Sequence, residues 1–305
     1  MLLVRDLGPA TAKALGYVRA LRPAHVVALY VGDPGSFEPA AERWAGFAPR
    51  MGSLQQLQTG TERPTKVLRA RLRSLRAGTH GFVTVVLPEE LTSRSLLRHL
   101  GRRWGFWLKV SLFFEGDVVV TDVPLLPEER GSAGSRPLEP TRHVVLIPVS
   151  GVQAAAARAV TYALSLEAAE IGAVYFSPDP DEERGVIEGW MDRGMIVPLS
   201  IVDAPFRDFS EPMLEEVRRQ TARRGTVVTV VLPEVVVSHW WEQLLHSQSA
   251  LFFKRLLLFE PGVVVTSVPL HVAEASRQSV TSSPGAQETG VGPLVARGDS
   301  ASQVE

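Results

Sequence analysis

Five residues in the second half of the chain have the chemistry to bind a small polar ligand. Ser150 and Gly151 follow the apolar segment HVVLIPV, and backbone N–H groups in such a turn can bind an anion at a helix start. Asp179, Asp203 and Arg207 follow two further apolar segments. We take Arg207 as the preferred ligand contact. The plainer interpretations are a turn with a helix cap for the Ser-Gly pair, and a surface ion pair with a neighbouring aspartate for Arg207.

No catalytic group, cofactor motif or metal motif accompanies these residues. The chain has no cysteine, which excludes disulfides, thiolate catalysis and Cys-ligated zinc. Neither of the phosphate-binding patterns GxGxxG and GxxxxGK[ST] occurs. Glu89 and Glu234 occupy matching places, but each is a single carboxylate without an evident partner for acid–base work. We therefore expect a protein that is not an enzyme and that uses no cofactor and no metal ion.

The segment HWWEQLLH has the residue types of a metal or base-binding site. His239 and His246 are seven residues apart, about two turns on one side of a helix, too far for one zinc ion without further ligands. Trp240 and Trp241 would point about 100° apart on a helix, so at most one could stack on a base. We interpret the two histidines as structural, and such tryptophans more often anchor a core or an interface.

The candidate ligand residues must be positioned by short buried strands. Five apolar runs rich in Val and Ile, typical of strands buried on both faces, lie at 143–149, 171–176, 195–202, 227–233 and 263–268. Because helical patterns alternate with these runs, the segment predicts a parallel sheet with right-handed crossovers and helices on both faces. Ligands of such sheets bind beyond the carboxyl ends of the strands, which is where the candidate residues lie.

Two of the intervening helices have clear sequence signals. The first has an apolar face with spacings of three and four, made of Val152, Ala156, Ala159, Val160 and Ala163. The second is predicted to start at the capping residue Ser210, with Pro212 in its first turn. Its apolar stripe consists of Met213, Leu214 and Val217.

The same sequence of predicted elements occurs twice in the chain. VTVVLPE occurs at 83–89 and at 228–234, 145 positions apart, and LFFEGDVVVTDVPL at 112–125 answers LLFEPGVVVTSVPL at 257–270 at the same offset. A period of this length is too long for a solenoid repeat and fits two globular copies. Met1 falls opposite Leu146, so we expect the first strand of the first copy to have about half its length.

Composition sets the boundaries of these copies. Gly, Ser, Pro and charged residues fill 127–142, which we interpret as a linker between a first copy at 1–126 and a second at 143–272. The segment 273–305 lacks apolar periodicity and is predicted to be a disordered tail.

The net charge of −1 gives no reason to expect nucleic acid as a partner. The apolar stretch from Ser249 is interrupted by charges, so we expect no membrane insertion, and the lack of cysteine suits the cytoplasm.

Several motifs of the second copy together resemble one family. HVVLIPVSGV, VYFSPDPDE, VDAPFRDFSEPML, VVTVVLPE, HWWEQLLHSQSA and GVVVTSVPLH are similar to the cytosolic C-terminal domain of bacterial permeases of the amino-acid/polyamine/organocation superfamily. The fold of that domain is similar to universal stress proteins. The resemblance implies an α/β fold in which two tandem doubly wound parallel-sheet domains, universal-stress-protein-like, pack as a pseudo-dimer within one chain.

The resemblance also implies a regulatory role. In related potassium transporters the domain acts as a regulatory dimer that can receive cyclic di-AMP. Transport is not implied, because the membrane half has no counterpart in this sequence. The glycine-spaced ATP signature of universal stress proteins is replaced by VLPEVVVSHWWEQ, which argues against ATP hydrolysis and tight ATP binding.

Two functions stay open from the sequence. The first is a cytoplasmic regulatory or sensing module that binds an adenine nucleotide or cyclic dinucleotide, such as cyclic di-AMP, near the pseudo-twofold between the copies. The alternative is an interaction protein without a small ligand, in which the VVVTSVP strands pair across a domain interface and the surface docks a membrane permease.

Overall fold

A single ten-stranded sheet organises the chain, with helices on both of its faces. The computed structural model describes residues 1–78, 81–91, 112, 115, 118–130, 140–204, 209–236 and 248–271. The strands are β1 Leu2–Val4, β2 Ala28–Tyr30, β3 Leu54–Gln56, β4 Val83–Glu90, β5 Val118–Leu125, β6 Arg142–Val149, β7 Glu170–Ser177, β8 Leu199–Asp203, β9 Thr226–Val236 and β10 Val263–His271. The predicted α/β class with a mainly parallel sheet is therefore confirmed.

The helices of the described residues alternate with these strands. They are α1 Pro9–Ala20, α2 Phe37–Phe47, α3 Pro64–Ala77, α4 Ala154–Leu164, α5 Pro180–Asp192, α6 Ser210–Thr221 and α7 Gln248–Leu258, and short 3₁₀ turns span Pro34–Ser36 and Pro127–Glu129. None of these helices is long and apolar enough to cross a bilayer.

The sheet has the same strand order in its two halves. We call β1–β5 half one and β6–β10 half two. The order across the sheet is β3-β2-β1-β4-β5-β10-β9-β6-β7-β8, and neighbours within each half are parallel. In each half, the strand order reverses direction beside its first strand, between β1 and β4 and between β6 and β9. Such a switch point places ligands at the carboxyl ends of those strands.

The two halves join through their last strands. β5 and β10 pair antiparallel, with Thr121 opposite Thr266 and the two hydroxyl oxygens 2.9 Å apart. Every residue of β5 is buried, as is every residue of β10 before His271. The VVVTSVP strand of half two is thus paired along one edge with β5 of half one.

One hydrophobic core runs across both halves on one face of the sheet. It includes Leu15 and Tyr17 of α1 together with Ala159 and Tyr162 of α4, and strand residues from both halves pack against them. The opposite face carries two smaller cores, one in each half. Because the shared core is continuous, α1 and α4 are held against the middle of the sheet.

The structure corrects two of the predicted element starts. A strand was predicted over 195–202, but β8 covers only Leu199–Asp203. Gly194, at φ +62°, donates its N–H to the Met191 carbonyl at 2.8 Å and ends α5, so the apolar Met195 and Ile196 lie in the following turn. Ser210 was predicted as a helix cap; Phe209 holds that position, and no side chain caps the helix there.

Other predictions meet the structure only in part. β1 has three residues, whereas the matching strand β6 has eight. Most of the predicted linker and all of the predicted tail lie outside the described residues. The same holds for the segment HWWEQLLH, with His239, Trp240, Trp241 and His246.

Candidate functional site

A cavity of about 600 Å³ opens at the carboxyl ends of β6, β7 and β9 in half two. This is the switch point of that half, where ligands of parallel sheets bind. Its volume lies within the range of roughly 300–1,000 Å³ that small-molecule sites occupy. The lining consists of Pro148, Val149, Ser150, Tyr175, Phe176, Pro178, Glu182, Ala204, Phe209, Leu232, Pro233, Glu234 and Phe253.

Four aromatic rings supply much of the apolar wall. The Phe209 ring packs edge-on against Phe253, with centroids 5.5 Å apart, and lies 6.2 Å from the Phe176 ring. Tyr175 is buried at the end of β7. Phe209 keeps 40% of its surface exposed, so this side of the cavity is open to solvent. Such a wall can stack on a planar ring or hold the apolar part of a ligand.

The polar groups of the cavity are few and mostly acidic. The Tyr175 hydroxyl donates to Glu182 Oε2 at 3.4 Å. Burial raises the pKa of Tyr175, and the nearby carboxylates of Glu182, Glu183 and Asp179 raise it further. Tyr175 therefore stays protonated at neutral pH and acts as a hydrogen-bond donor. Ser150 adds an exposed hydroxyl at the mouth of the cavity.

Glu234 connects the cavity to the joint between the halves. Burial raises the pKa of its carboxyl group; the Asp122 carboxylate adds to the rise, while Lys254 and a hydrogen bond from Ser267 oppose it. The Lys254 ammonium donates to Ser267 Oγ at 2.9 Å and lies 3.0 Å from Asp122 Oδ2. Glu234 therefore has polar and charged neighbours from β5, α7 and β10, and its lack of a partner for acid–base work stays a prediction. We call Asp122, Glu234, Lys254 and Ser267 the midline cluster.

The predicted ligand residues have different places in the structure. Ser150 lines the cavity, and Gly151 follows it with φ +154°, a value that suits glycine. The carboxylate of Asp179 accepts from the Asp181 N–H at 3.0 Å and caps α5. Asp203 is an exposed residue at the end of β8, in register with Ser177, and is not part of the lining. Arg207 lies outside the described residues.

Tyr175, Glu182 and Phe253 were not predicted as site residues. Glu182 had a usable signal, because an acidic residue in the first turn after β7 must lie near the carboxyl edge of the sheet. Phe253 had none, since it reaches the cavity from α7, far along the chain. Across the described part of the chain, no three His, Asp or Glu side chains come close enough to hold a metal ion.

The fold and the cavity define an α/β module with a candidate ligand site at the carboxyl ends of its strands. Comparison with known proteins assigns the family of this module. A family model described as the KimA potassium transporter C-terminal domain matches residues 1–125 and 141–270. The chain belongs to this family. This confirms the coarser part of the resemblance, a permease C-terminal domain.

A similar protein is the potassium transporter KimA of Bacillus subtilis strain 168. The two sequences are 28% identical over 131 residues, which is 42% of this chain and 21% of the transporter. The matched segment therefore spans only 21% of the length of that transporter.

Proposed function

We propose that this chain is a regulatory module of a potassium permease and that it binds an adenine nucleotide, such as cyclic di-AMP, at the cavity of half two. The cavity at the switch point is the observation that carries the proposal. Family membership supports the association with a permease, and hence a cytoplasmic location for the module. Two tandem universal-stress-like domains, packed as a pseudo-dimer, would give such a module its internal symmetry.

The lining favours one orientation of the nucleotide. An adenine ring would stack against the aromatic wall formed by Phe176, Phe209 and Phe253. The phosphates would lie at the mouth, near Ser150, because Glu182 and Glu234 would repel them deeper in the cavity. Helix α4 starts three residues after Gly151 without a side-chain cap, so its first N–H groups offer further donors to an anion.

A thermal-shift screen of the full chain against cyclic di-AMP, ATP, AMP and cyclic AMP tests the proposal. A ligand at a hundred times its Kd should stabilise the folded chain by about 2.7 kcal/mol, which raises Tm measurably. Calorimetry on a hit should then give one ligand per chain.

Three variants test the location of the site. Ser150→Glu places a carboxylate where the phosphates would lie and should weaken binding about tenfold or more. Ser74→Glu adds the same charge on an exposed position of α3 in half one and should leave binding unchanged. Arg207→Ala should also weaken binding. A flat screen, or equal losses for Ser150→Glu and Ser74→Glu, would count against the nucleotide site.

A different observation supports the alternative function, an interaction protein that docks on a permease. Several large apolar side chains of half two are exposed near the outer edge of the sheet. A flat nucleotide screen would leave a protein that docks on a permease without a small ligand.

A further inference from the structure

An apolar surface lies at the outer end of half two, away from the cavity and the joint. Among the described residues six large hydrophobic side chains are exposed, and three of them occur within ten residues of one another: Ile187 at 36%, Met191 at 70% and Ile196 at 77%. We call these three residues the α5 patch.

Local geometry brings the patch residues together. Ile187 and Met191 are four apart on α5 and so lie on one face of the helix. The helix ends where the Gly194 N–H donates to the Met191 carbonyl and the Met195 N–H donates to the Trp190 carbonyl at 3.2 Å. Because these bonds hold the turn against the last helical residues, Ile196 emerges beside the end of the helix. Trp190 is buried beneath it, so the patch rests on a fixed base.

The patch belongs to half two alone. The positions 145 residues earlier are Glu42, Gly46 and Met51, and Met51 is buried at 8% exposure. The exposed apolar side chains are therefore not required by the architecture that the halves share. Grouped apolar side chains that are exposed beside polar residues are typical of an interaction surface.

Charge around the patch indicates what would cover it. Helix α5 carries five carboxylates and one arginine. These charges give the helix a net charge of −4, and exposed Arg184, Glu188 and Asp192, spaced four residues apart, form a second stripe beside Ile187 and Met191. A complementary surface needs an apolar face with positive charge along one side.

The net negative charge of α5 disfavours two other occupants. In a symmetric pair of identical chains two helices of net charge −4 would meet, and their carboxylates would on balance repel. An anionic membrane would repel the same carboxylates. A basic amphipathic segment of another protein satisfies both the apolar and the charged parts of the surface.

We propose that the α5 patch binds an amphipathic segment of another protein whose apolar face is flanked by lysine or arginine side chains. Among the described strands β8 pairs with β7 alone, so the patch also borders an edge of the sheet. In the described part of the chain no further strand continues the sheet on that side.

The full 305-residue chain can be titrated against two fluorescent helical peptides of about 18 residues, which is five turns. One peptide has a leucine face flanked by lysines, and the other has the same face flanked by glutamates. We expect the Leu/Lys peptide to bind and the Leu/Glu peptide not to bind. The double variant Met191→Ser/Ile196→Ser should weaken the binding about tenfold or more. Leu164→Ser removes another exposed apolar side chain, 45% exposed and outside the patch, and should change nothing.

A charge reversal separates apolar from electrostatic recognition. Glu188→Lys/Asp192→Lys should exchange the preference between the two peptides, because the apolar face is untouched. Circular dichroism and Tm of each variant check that the fold is retained. Absence of Leu/Lys binding, or binding that survives Met191→Ser/Ile196→Ser, would overturn the proposal.

Two further results would assign the patch to another occupant and also overturn it. The first is binding to phosphatidylserine/phosphatidylcholine vesicles that the Met191→Ser/Ile196→Ser variant loses. The second is a dimer of the unaltered chain in sedimentation velocity that the same variant dissociates.

Discussion

Tyr17 of half one and Tyr162 of half two are 145 residues apart, and each contacts the other half. The Tyr17 hydroxyl lies 3.0 Å from Thr229 Oγ1 on β9, whereas the Tyr162 hydroxyl lies 3.2 Å from Thr84 Oγ1 on β4. The two threonines are themselves 145 residues apart. Helices α1 and α4 therefore make reciprocal contacts across the joint with the same residue types.

The outer parts of the halves differ more than the residues at the joint do. Arg5-Asp6 of half one stands where half two has Ser150-Gly151, and the Asp6 carboxylate accepts from the Gly8 N–H at 2.9 Å before α1. Glu42 stands where half two exposes Ile187. The joint must fit both halves at once, so its residues are constrained together, whereas strand ends and outer helices are free to take different roles in each half.

One difference lies at the joint itself. Asp122 on β5 has Ser267 as its counterpart on β10, so the buried carboxylate is present on one side only. Lys254, from half two, lies 3.0 Å from this carboxylate of half one. This ion pair makes the contact between the halves unequal.

Lys254→Met is expected to have the largest effect on stability. It removes the cation beside the fully buried Asp122 carboxylate and should lower the free energy of unfolding by about 3 kcal/mol. Urea unfolding measures the loss. In an Asp122→Ser background, which gives both halves a serine, the same substitution should cost only about 1 kcal/mol, because Lys254 then keeps only its contacts with Glu234 and Ser267. Equal costs in the two backgrounds would show that the ion pair does not stabilise the joint.

His143 gives half two a stability that depends on pH. Burial lowers the pKa of His143 to about 4, and its Nε2 lies 2.8 Å from Thr229 Oγ1. The unfolded chain, with a histidine pKa near 6.5, binds the proton first, so folding stability falls as pH falls from about 6.5 to about 4. The loss should reach about 2 kcal/mol by pH 4.5.

His143→Gln tests this assignment because the other titrating groups remain. Urea unfolding at several pH values should give a difference between the two chains that shrinks by about 2 kcal/mol from pH 7 to pH 4.5. An unchanged difference over that interval would mean that His143 does not titrate in the unfolding transition.

Removing the reciprocal hydroxyls should have a smaller effect. Tyr17→Phe should cost about 1.5 kcal/mol and Tyr162→Phe about 1 kcal/mol, because Thr229 is fully buried and Thr84 is half-buried. Thermal unfolding of both variants measures the two costs. A larger cost for Tyr162→Phe would reverse this comparison of the halves.

Most strands could be predicted from the sequence because they are buried on both faces. Apolar runs at 143–149 and 263–268 predict β6 and β10. Because the sequence repeats at an offset of 145 residues, it predicts matching strands in half one. The start of β8 could not be predicted in this way, because Ile196 is apolar and exposed. The start of β8 depends on the turn at Gly194. The hydrophobic pattern of a sequence cannot show that a particular apolar side chain is exposed.

The candidate site was predicted less completely than the fold. Ser150 was predicted as a candidate because it directly follows a strand, and it lines the cavity. Asp179 has the same position after a strand, but its carboxylate caps α5, a local hydrogen bond that competes with ligand binding. The contact between Lys254 and Asp122 depends on the antiparallel pairing of β5 with β10. The parallel strand pattern within each half does not determine how the halves join.

Arg158→Lys should have the smallest effect, and it makes half two resemble half one. Lys13 is the residue 145 positions earlier; it donates to the Pro124 carbonyl at 2.6 Å, as Arg158 donates to the Pro269 carbonyl at 2.8 Å. The Arg158 guanidinium also lies 5.4 Å from the centroid of the Phe82 ring. Lysine retains the charge and the reach to a carbonyl but loses planar stacking, so stability should fall by about 0.5 kcal/mol.

Lys13→Arg is the matched control for this prediction. The residue that corresponds to Phe82 is Val227, which offers no ring for the new guanidinium. Thermal unfolding should therefore show no gain for Lys13→Arg and a small loss for Arg158→Lys. Equal and opposite shifts would instead mean that the guanidinium itself, rather than its contact with Phe82, stabilises both halves.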